Sequence, residues 1–207
     1  MSKEDQKIRT VGILFFDGVE VLDFAGPFEV FSVARPPEET DDKYALFKVH
    51  AIAENDRLIT CTGGLRIQPD YTINNHPKLD ILIVPGGMGT RRERLRSDLP
   101  DWIKTQDQLT ELTTSVCTGA LLLAESGILK GHRVTTHWRG ISLLREFPDI
   151  KVVEGKRVID EGHIITSAGI SAGIDMSLYI VSRLYGEETA KWTAHFMEYN
   201  WQKPRQV

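Results

Sequence analysis

The run Thr113-Thr114-Ser115-Val116-Cys117-Thr118-Gly119-Ala120 sets a cysteine between a short β-forming stretch and an apolar helical one. This is the layout of a nucleophile elbow, in which a tight strand-to-helix turn projects one reactive side chain. Cys117 holds the nucleophile position and Gly119 allows the two backbones to approach closely, although the first small residue is Ser115 rather than glycine. The partial positive charge at a helix N-terminus favours thiolate, so the expectation is a Cys117 pKa below that of a free thiol. The competing reading is a buried structural cysteine, since free cysteine packs as a small hydrophobe. Cys61 has no comparable setting and reads as structural.

Two further segments carry groups that a cysteine nucleophile can use. Pro85-Gly86-Gly87-Met88-Gly89 follows the wholly apolar run Ile81-Leu82-Ile83-Val84, at the kind of strand end where open α/β sheets bind ligands. Bare N–H groups on Gly86 and Gly87 could form an oxyanion hole, or the glycines could serve a turn that needs positive φ. A nucleotide site is excluded, because the third glycine of a dinucleotide loop and the lysine of a phosphate loop are both missing. Asp23 lies among apolar neighbours in Val21-Leu22-Asp23-Phe24-Ala25-Gly26-Pro27. It is either a carboxylate that organises a helix start or, if it faces Cys117, a buried acid with a raised pKa and a proton to give. His137, in Val134-Thr135-Thr136-His137-Trp138, could polarise the thiol or be a hydrogen-bonded structural residue. The other histidines lack metal-ligand spacing, so no metal site is expected. The basic run Arg91-Arg92-Glu93-Arg94-Leu95-Arg96 contains an acid and reads as a solvated face.

The elements that must position these groups alternate along the chain. Strands are expected at residues 10–16, 47–53, 81–84, 113–116, 134–137, 151–153 and 163–167, with a hairpin of 58–61 and 65–67 around Gly63-Gly64. Helices are expected at 28–34, launched by Gly26-Pro27, and at 101–112, 120–126, 171–184 and 187–199. Residues 36–42 read as an exposed loop. This alternation, with a strand apolar on both faces, predicts an α/β three-layer sandwich.

Composition agrees with an ordinary globule: 207 residues, 41% hydrophobic and 26% charged, enough for one domain over residues 1–207. A net charge of −4 leaves no electrostatic case for bulk nucleic-acid binding. No apolar run approaches the ~20 residues that cross a bilayer, so no membrane partner is expected. Met1-Ser2-Lys3-Glu4-Asp5-Gln6-Lys7 lacks the apolar core of a secretory leader. Two cysteines are too few for a disulfide scaffold, and the expected location is the reducing cytoplasm.

Together these segments resemble the ThiJ/PfpI superfamily, whose fold is flavodoxin-like and class I glutamine amidotransferase-like, with a mostly parallel central sheet. The resemblance spans residues 11 to about 185. It is carried by Phe16-Asp17-Gly18-Val19-Glu20-Val21-Leu22-Asp23-Phe24-Ala25-Gly26-Pro27, Val84-Pro85-Gly86-Gly87, Ser115-Val116-Cys117-Thr118-Gly119, Val134-Thr135-Thr136-His137-Trp138 and Ala168-Gly169-Ile170-Ser171-Ala172-Gly173-Ile174-Asp175. Within the superfamily the motifs are most similar to those of the isocyanide hydratases.

That resemblance implies Cys117 as nucleophile, Asp23 as its acid/base partner and Thr118 as hydrogen-bonding support. It also implies backbone contacts from Gly86 and Gly87, and a helix start at Ile170 packed beside the cysteine. The implied activity is cofactor-free hydration of a small-molecule isocyanide to an N-substituted formamide through a covalent thioimidate, in a homodimer. Two departures bear on substrate preference and site mobility: Ala25 stands where the hydratases carry threonine, and Ser167-Ala168-Gly169 replaces three glycines. Protease-like relatives carry histidine where this chain has Thr118, and the glutaminase His-x-Glu pair has no counterpart in His195-Phe196-Met197-Glu198. Regulators of the superfamily add a DNA-binding tail, for which the residues up to Val207 are not expected to suffice. A redox or stress sensor, or a small-molecule binding protein, is the alternative, because an activated cysteine is also readily oxidised.

Overall fold

Strands that are apolar on both faces need cover on both sides. The computed structural model, which describes residues 7–96 and 98–204, supplies it with helices on both faces of a mostly parallel sheet. In chain order the elements are β1 (Arg9–Phe15), α1 (Val21–Val33), β2 (Phe47–Ala53), β3 (Ile59–Thr60), β4 (Arg66–Ile67), β5 (Tyr71–Thr72), β6 (Ile81–Val84), α2 (Thr90–Glu93), α3 (Asp98–Asp107), β7 (Leu112–Val116), α4 (Gly119–Glu125), β8 (Arg133–Val134), α5 (Ile141–Leu144), β9 (Lys151–Val152), β10 (Val158–Asp160), β11 (Ile164–Ser167), α6 (Ala172–Tyr185) and α7 (Glu187–Phe196). The main sheet has the order β10-β11-β7-β6-β1-β2-β5. Within this sheet the β10–β11 pairing is antiparallel and the others are parallel. β6 and β7 are buried along their whole length. α1, α6 and α7 pack on one another, while α4 packs against α2, α3 and α5.

The strand order reverses between β1 and β6, since the chain leaves β1 toward β2 on one side and reaches β7 and β11 on the other. Loops that leave the C-terminal strand ends at such a point splay apart and leave a crevice. Those following β1, β6, β7 and β11 carry the chain to Asp23, Gly86, Cys117 and Ile170 respectively.

Several expected elements move. The first helix begins at Val21, not at 28, so Asp23 lies in its first turn and Pro27 lies inside it. Interior proline removes a helical hydrogen bond, a cost offset here by packing. Pro27 abuts Gly173, and the neighbouring Gly26 leaves room for Ile174, both on α6. The strand expected at 134–137 is only Arg133–Val134, paired with β9 outside the main sheet. Beyond it the backbone turns to side chains: the Thr135 N–H donates to Thr166 Oγ1 at 3.0 Å, and the Thr136 hydroxyl donates to the Cys117 carbonyl at 2.6 Å. The third helix starts at Asp98 and ends at Asp107, before the expected 112. The basic run is not a uniform solvated face, because Glu93 is buried and paired with Arg92 and Arg96. In the loop expected to be exposed, Pro36 is buried.

Close approach fixes the elbow. A Cβ on Gly119 would sit 2.0 Å from the Val84 carbonyl oxygen and 2.9 Å from that of Pro85. Gly119→Ala is therefore expected to destabilise the fold by about 3 kcal/mol or more, read as a lower denaturant midpoint. An unchanged midpoint would show that the end of β6 yields freely.

Candidate active site

Cys117 occupies the turn between β7 and α4 with φ of 56°, a left-handed conformation rare for a residue with a side chain. Such strain persists only where surrounding bonds enforce it. Here the Cys117 N–H is shared between the carbonyls of Ser167 at 3.2 Å and Ala168 at 3.1 Å, while Thr136 holds its own carbonyl. Cys117 is 6% exposed and lines a cleft of about 230 Å³.

Asp23 is completely buried, and its carboxyl lies near enough to the Cys117 thiol for each group to shift the ionisation of the other. Its Oδ2 accepts from the Gly86 N–H at 3.0 Å, whereas the buried Oδ1 has no hydrogen-bond partner among the described residues. Burial raises the Asp23 pKa to about 7, outweighing the Gly86 N–H bond and the nearby Cys117 thiol, which favour the charged form. Burial, and then the Asp23 charge, also push the Cys117 thiol well above its ordinary value. The N–H and hydroxyl of Thr118 pull the other way and lose. The expected depressed thiol pKa is thus corrected: a helix end offers about half a charge, whereas Asp23 places a full one beside a desolvated sulfur. Sulfur and carboxyl shift each other and so titrate as a pair, the first proton leaving near pH 7.

The glycine pair serves this arrangement from behind. With the Gly86 N–H on Asp23, the Gly87 N–H donates to Thr118 Oγ1 at 3.0 Å, and Thr90 Oγ1 donates to the same hydroxyl at 3.2 Å. Both N–H groups are therefore committed within the protein. A Cβ on Gly86 would meet the Thr118 nitrogen at 2.5 Å and Asp23 Oδ2 at 2.9 Å, so only glycine lets the three segments converge. Ile170, 36% exposed, lines the cleft beside Cys117, Thr118 and Gly87. All six expected site residues thus gather at one place, with Asp23 and Gly86 behind the wall rather than on it.

His137 borders the same cleft, and its Nδ1 accepts from the Arg139 N–H at 3.3 Å. Burial and then the Arg139 charge lower its pKa, which favours neutral imidazole. Reading the sequence did not single out Glu20, Met88, Arg91 or Arg139 as cleft residues. Nothing local marks them, because they come from the separate segments that follow β1, β6 and β8, Arg91 from α2. Among the described residues no group of three or more His, Cys, Asp or Glu side chains is placed to hold a metal. No helix among them is long and apolar enough to cross a membrane.

The pattern of strands, elbow and acid has known counterparts: the DJ-1/PfpI family model matches residues 9–183. The chain belongs to the DJ-1/PfpI family. It is 35% identical over 189 residues to an isonitrile hydratase of Pseudomonas putida, covering 91% of this chain and 78% of that protein. It is 27% identical over 186 residues to the HTH-type transcriptional regulator GbdR of Pseudomonas aeruginosa, covering 89% of this chain and 49% of the regulator, about half its length. A solved ThiJ/PfpI family protein from Pseudomonas syringae superposes with a TM-score of 0.84 at 28% identity, over 97% of this chain and 78% of that one. The superfamily and fold expected from the motifs are those found. DJ-1/PfpI membership alone leaves enzyme, regulator and sensor open, so the chemistry must be argued from the site.

Proposed function

We propose that this DJ-1/PfpI protein hydrates isocyanides to N-substituted formamides. The observation that carries the reading is the buried Asp23 carboxyl, poised near pKa 7 against the Cys117 thiol. Similarity to the Pseudomonas putida isonitrile hydratase supports it.

In this mechanism Asp23 takes the thiol proton as Sγ bonds to the terminal isocyanide carbon. It then returns that proton to the same carbon, leaving an N-substituted thioformimidate on Cys117. Water adds across the C=N bond, its hydroxyl to carbon and its proton to nitrogen. The C–S bond breaks, the hydroxyl proton passes through Asp23 to sulfur, and the formamide leaves. One water is consumed and nothing is oxidised or reduced, so no cofactor is called for. Thr118 holds the loop of Gly87 against the elbow throughout. A cytoplasmic homodimer belongs to the same proposal.

The test is purified protein with a simple aryl isocyanide, following formamide by chromatography and the chain by intact mass. Expected are turnover and a transient adduct on Cys117 equal to the mass of the intact substrate. Cys61→Ala should keep most of the activity, since that thiol is buried in the connection between β3 and β4 and does not line the cleft.

A sensor needs a thiolate ready for peroxide. Burial and the adjacent carboxyl work against that here. Saturating isocyanide giving neither adduct nor formamide, with mild peroxide reversibly changing oligomer or partner binding, would transfer the assignment to the sensor.

A further inference from the structure

Most described arginines are committed to a carboxylate, among them Arg9 to Glu111, Arg57 to Asp17, Arg157 to Asp175 and Arg183 to Asp160. Arg91 and Arg139 are different. Both line the Cys117 cleft, and among the described residues neither has a carboxylate within ion-pair distance. Arg91 Nη1 reaches only the Met88 sulfur at 3.5 Å, a weak acceptor. The Arg139 guanidinium sits 5.9 Å from the centroid of the exposed Trp138 ring. An unpaired arginine on an open surface says little, but these two border the cleft into which the thiol opens.

Their charge is only partly balanced. Glu20 is the acid on the cleft wall, and Asp23 lies behind the wall, fully buried. Two guanidinium groups against one carboxylate leave the mouth with a positive excess in a chain whose net charge is −4. A cleft lined by one sign of charge concentrates ligands of the other. The planar guanidinium fork matches a carboxylate in two-point contact, which a neutral substituent cannot use. At about 230 Å³ the cleft suits a compact substrate, so an anion on such a molecule would lie only a few bonds from the reacting carbon.

Resting on the hydratase reading, we infer that the substrates of this cleft are isocyanides that carry a carboxylate, held by Arg91 and Arg139 while the isocyanide carbon meets Cys117. These two arginines then set specificity, and the Cys117–Asp23 pair performs the same chemistry on any isocyanide that enters.

The test compares kcat/KM for potassium isocyanoacetate with that for methyl isocyanoacetate, and for 4-isocyanobenzoate with its methyl ester. Expected is a preference of about 10-fold or more for the carboxylate in at least one pair, shrinking as salt is raised. Arg91→Gln with Arg139→Gln should bring that ratio to about 1, and the double lysine variant should keep a preference. Lys104→Gln, which removes a positive charge from α3 outside the cleft lining, should leave the ratio at its wild-type value. Turnover of both esters with no preference for either acid overturns this proposal and leaves the hydratase reading standing. A preference that persists in the glutamine variant overturns it as well. If acids, esters and a neutral aryl isocyanide all go unconverted, both readings fall together.

Discussion

Cys117→Ala is expected to reduce formamide formation by about 10³-fold or more while the protein stays folded. The covalent route disappears with the sulfur, and no second thiol is placed to replace it, since Cys61 is buried and does not line the cleft. Packing loses little. Alanine keeps the Cβ, and the thiol contributes one atom at a site already bounded by polar groups. The left-handed backbone at this position is as awkward for alanine as for cysteine, so strain neither enters nor leaves. Circular dichroism and the melting midpoint should therefore follow wild type. Loss of turnover in Cys61→Ala with retention in Cys117→Ala would end the assignment.

Asp23→Asn should lower turnover by about 100-fold or more and raise stability at alkaline pH. The sign of the stability effect follows from linkage. The Asp23 pKa is about 7 in the folded chain against 3.8 as its ordinary value, so between those limits the folded state binds the extra proton. Stability from this group is greatest below pH 4, falls as pH rises, and is lost by about pH 7. Three pKa units correspond to about 4 kcal/mol as an upper limit. Asparagine keeps an oxygen for the Gly86 N–H and cannot ionise, so the variant should melt above wild type at pH 8 and close to it at pH 4. A carboxylate that merely organised the start of α1 predicts the reverse: a lower melting point and near-normal rates. Kinetics give a second readout. Wild-type kcat/KM should rise with pH through an apparent pKa near 7, where the Asp23–Cys117 pair loses its first proton. In the variant that rise should move upward to the ionisation of the thiol itself. Rates that keep the wild-type pH profile in Asp23→Asn would remove the carboxyl from the mechanism.

Much of this was legible along the chain. The wholly apolar Ile81-Leu82-Ile83-Val84 announces a strand covered on both faces, and the elbow is contiguous, so strand, turn and helix around Cys117 read directly. The start of α1 was not legible, because Gly26-Pro27 is as good a helix opening as it is a contact for α6. Only the tertiary neighbour decides between them. The thiol pKa was misjudged for a similar reason: local sequence supplies the helix end, whereas the opposing carboxyl arrives from a separate segment. Arg91 and Arg139 lie far apart in sequence, and their shared cleft exists only in three dimensions.

The crowding behind Cys117 also sets where this protein can change. The rear of the site is built from backbone against backbone: at Gly86, Gly89 and Gly119 a single added methyl would meet main-chain atoms closer than 3 Å. The front is built from side chains that end at the cleft, among them Met88, Arg139 and Ile170. Evolutionary drift and laboratory redesign therefore meet an asymmetric template. A new preference can be written on the front in one or two substitutions without disturbing the proton-sharing pair, whereas any attempt to enlarge the site from the rear must first dismantle the loops that hold it.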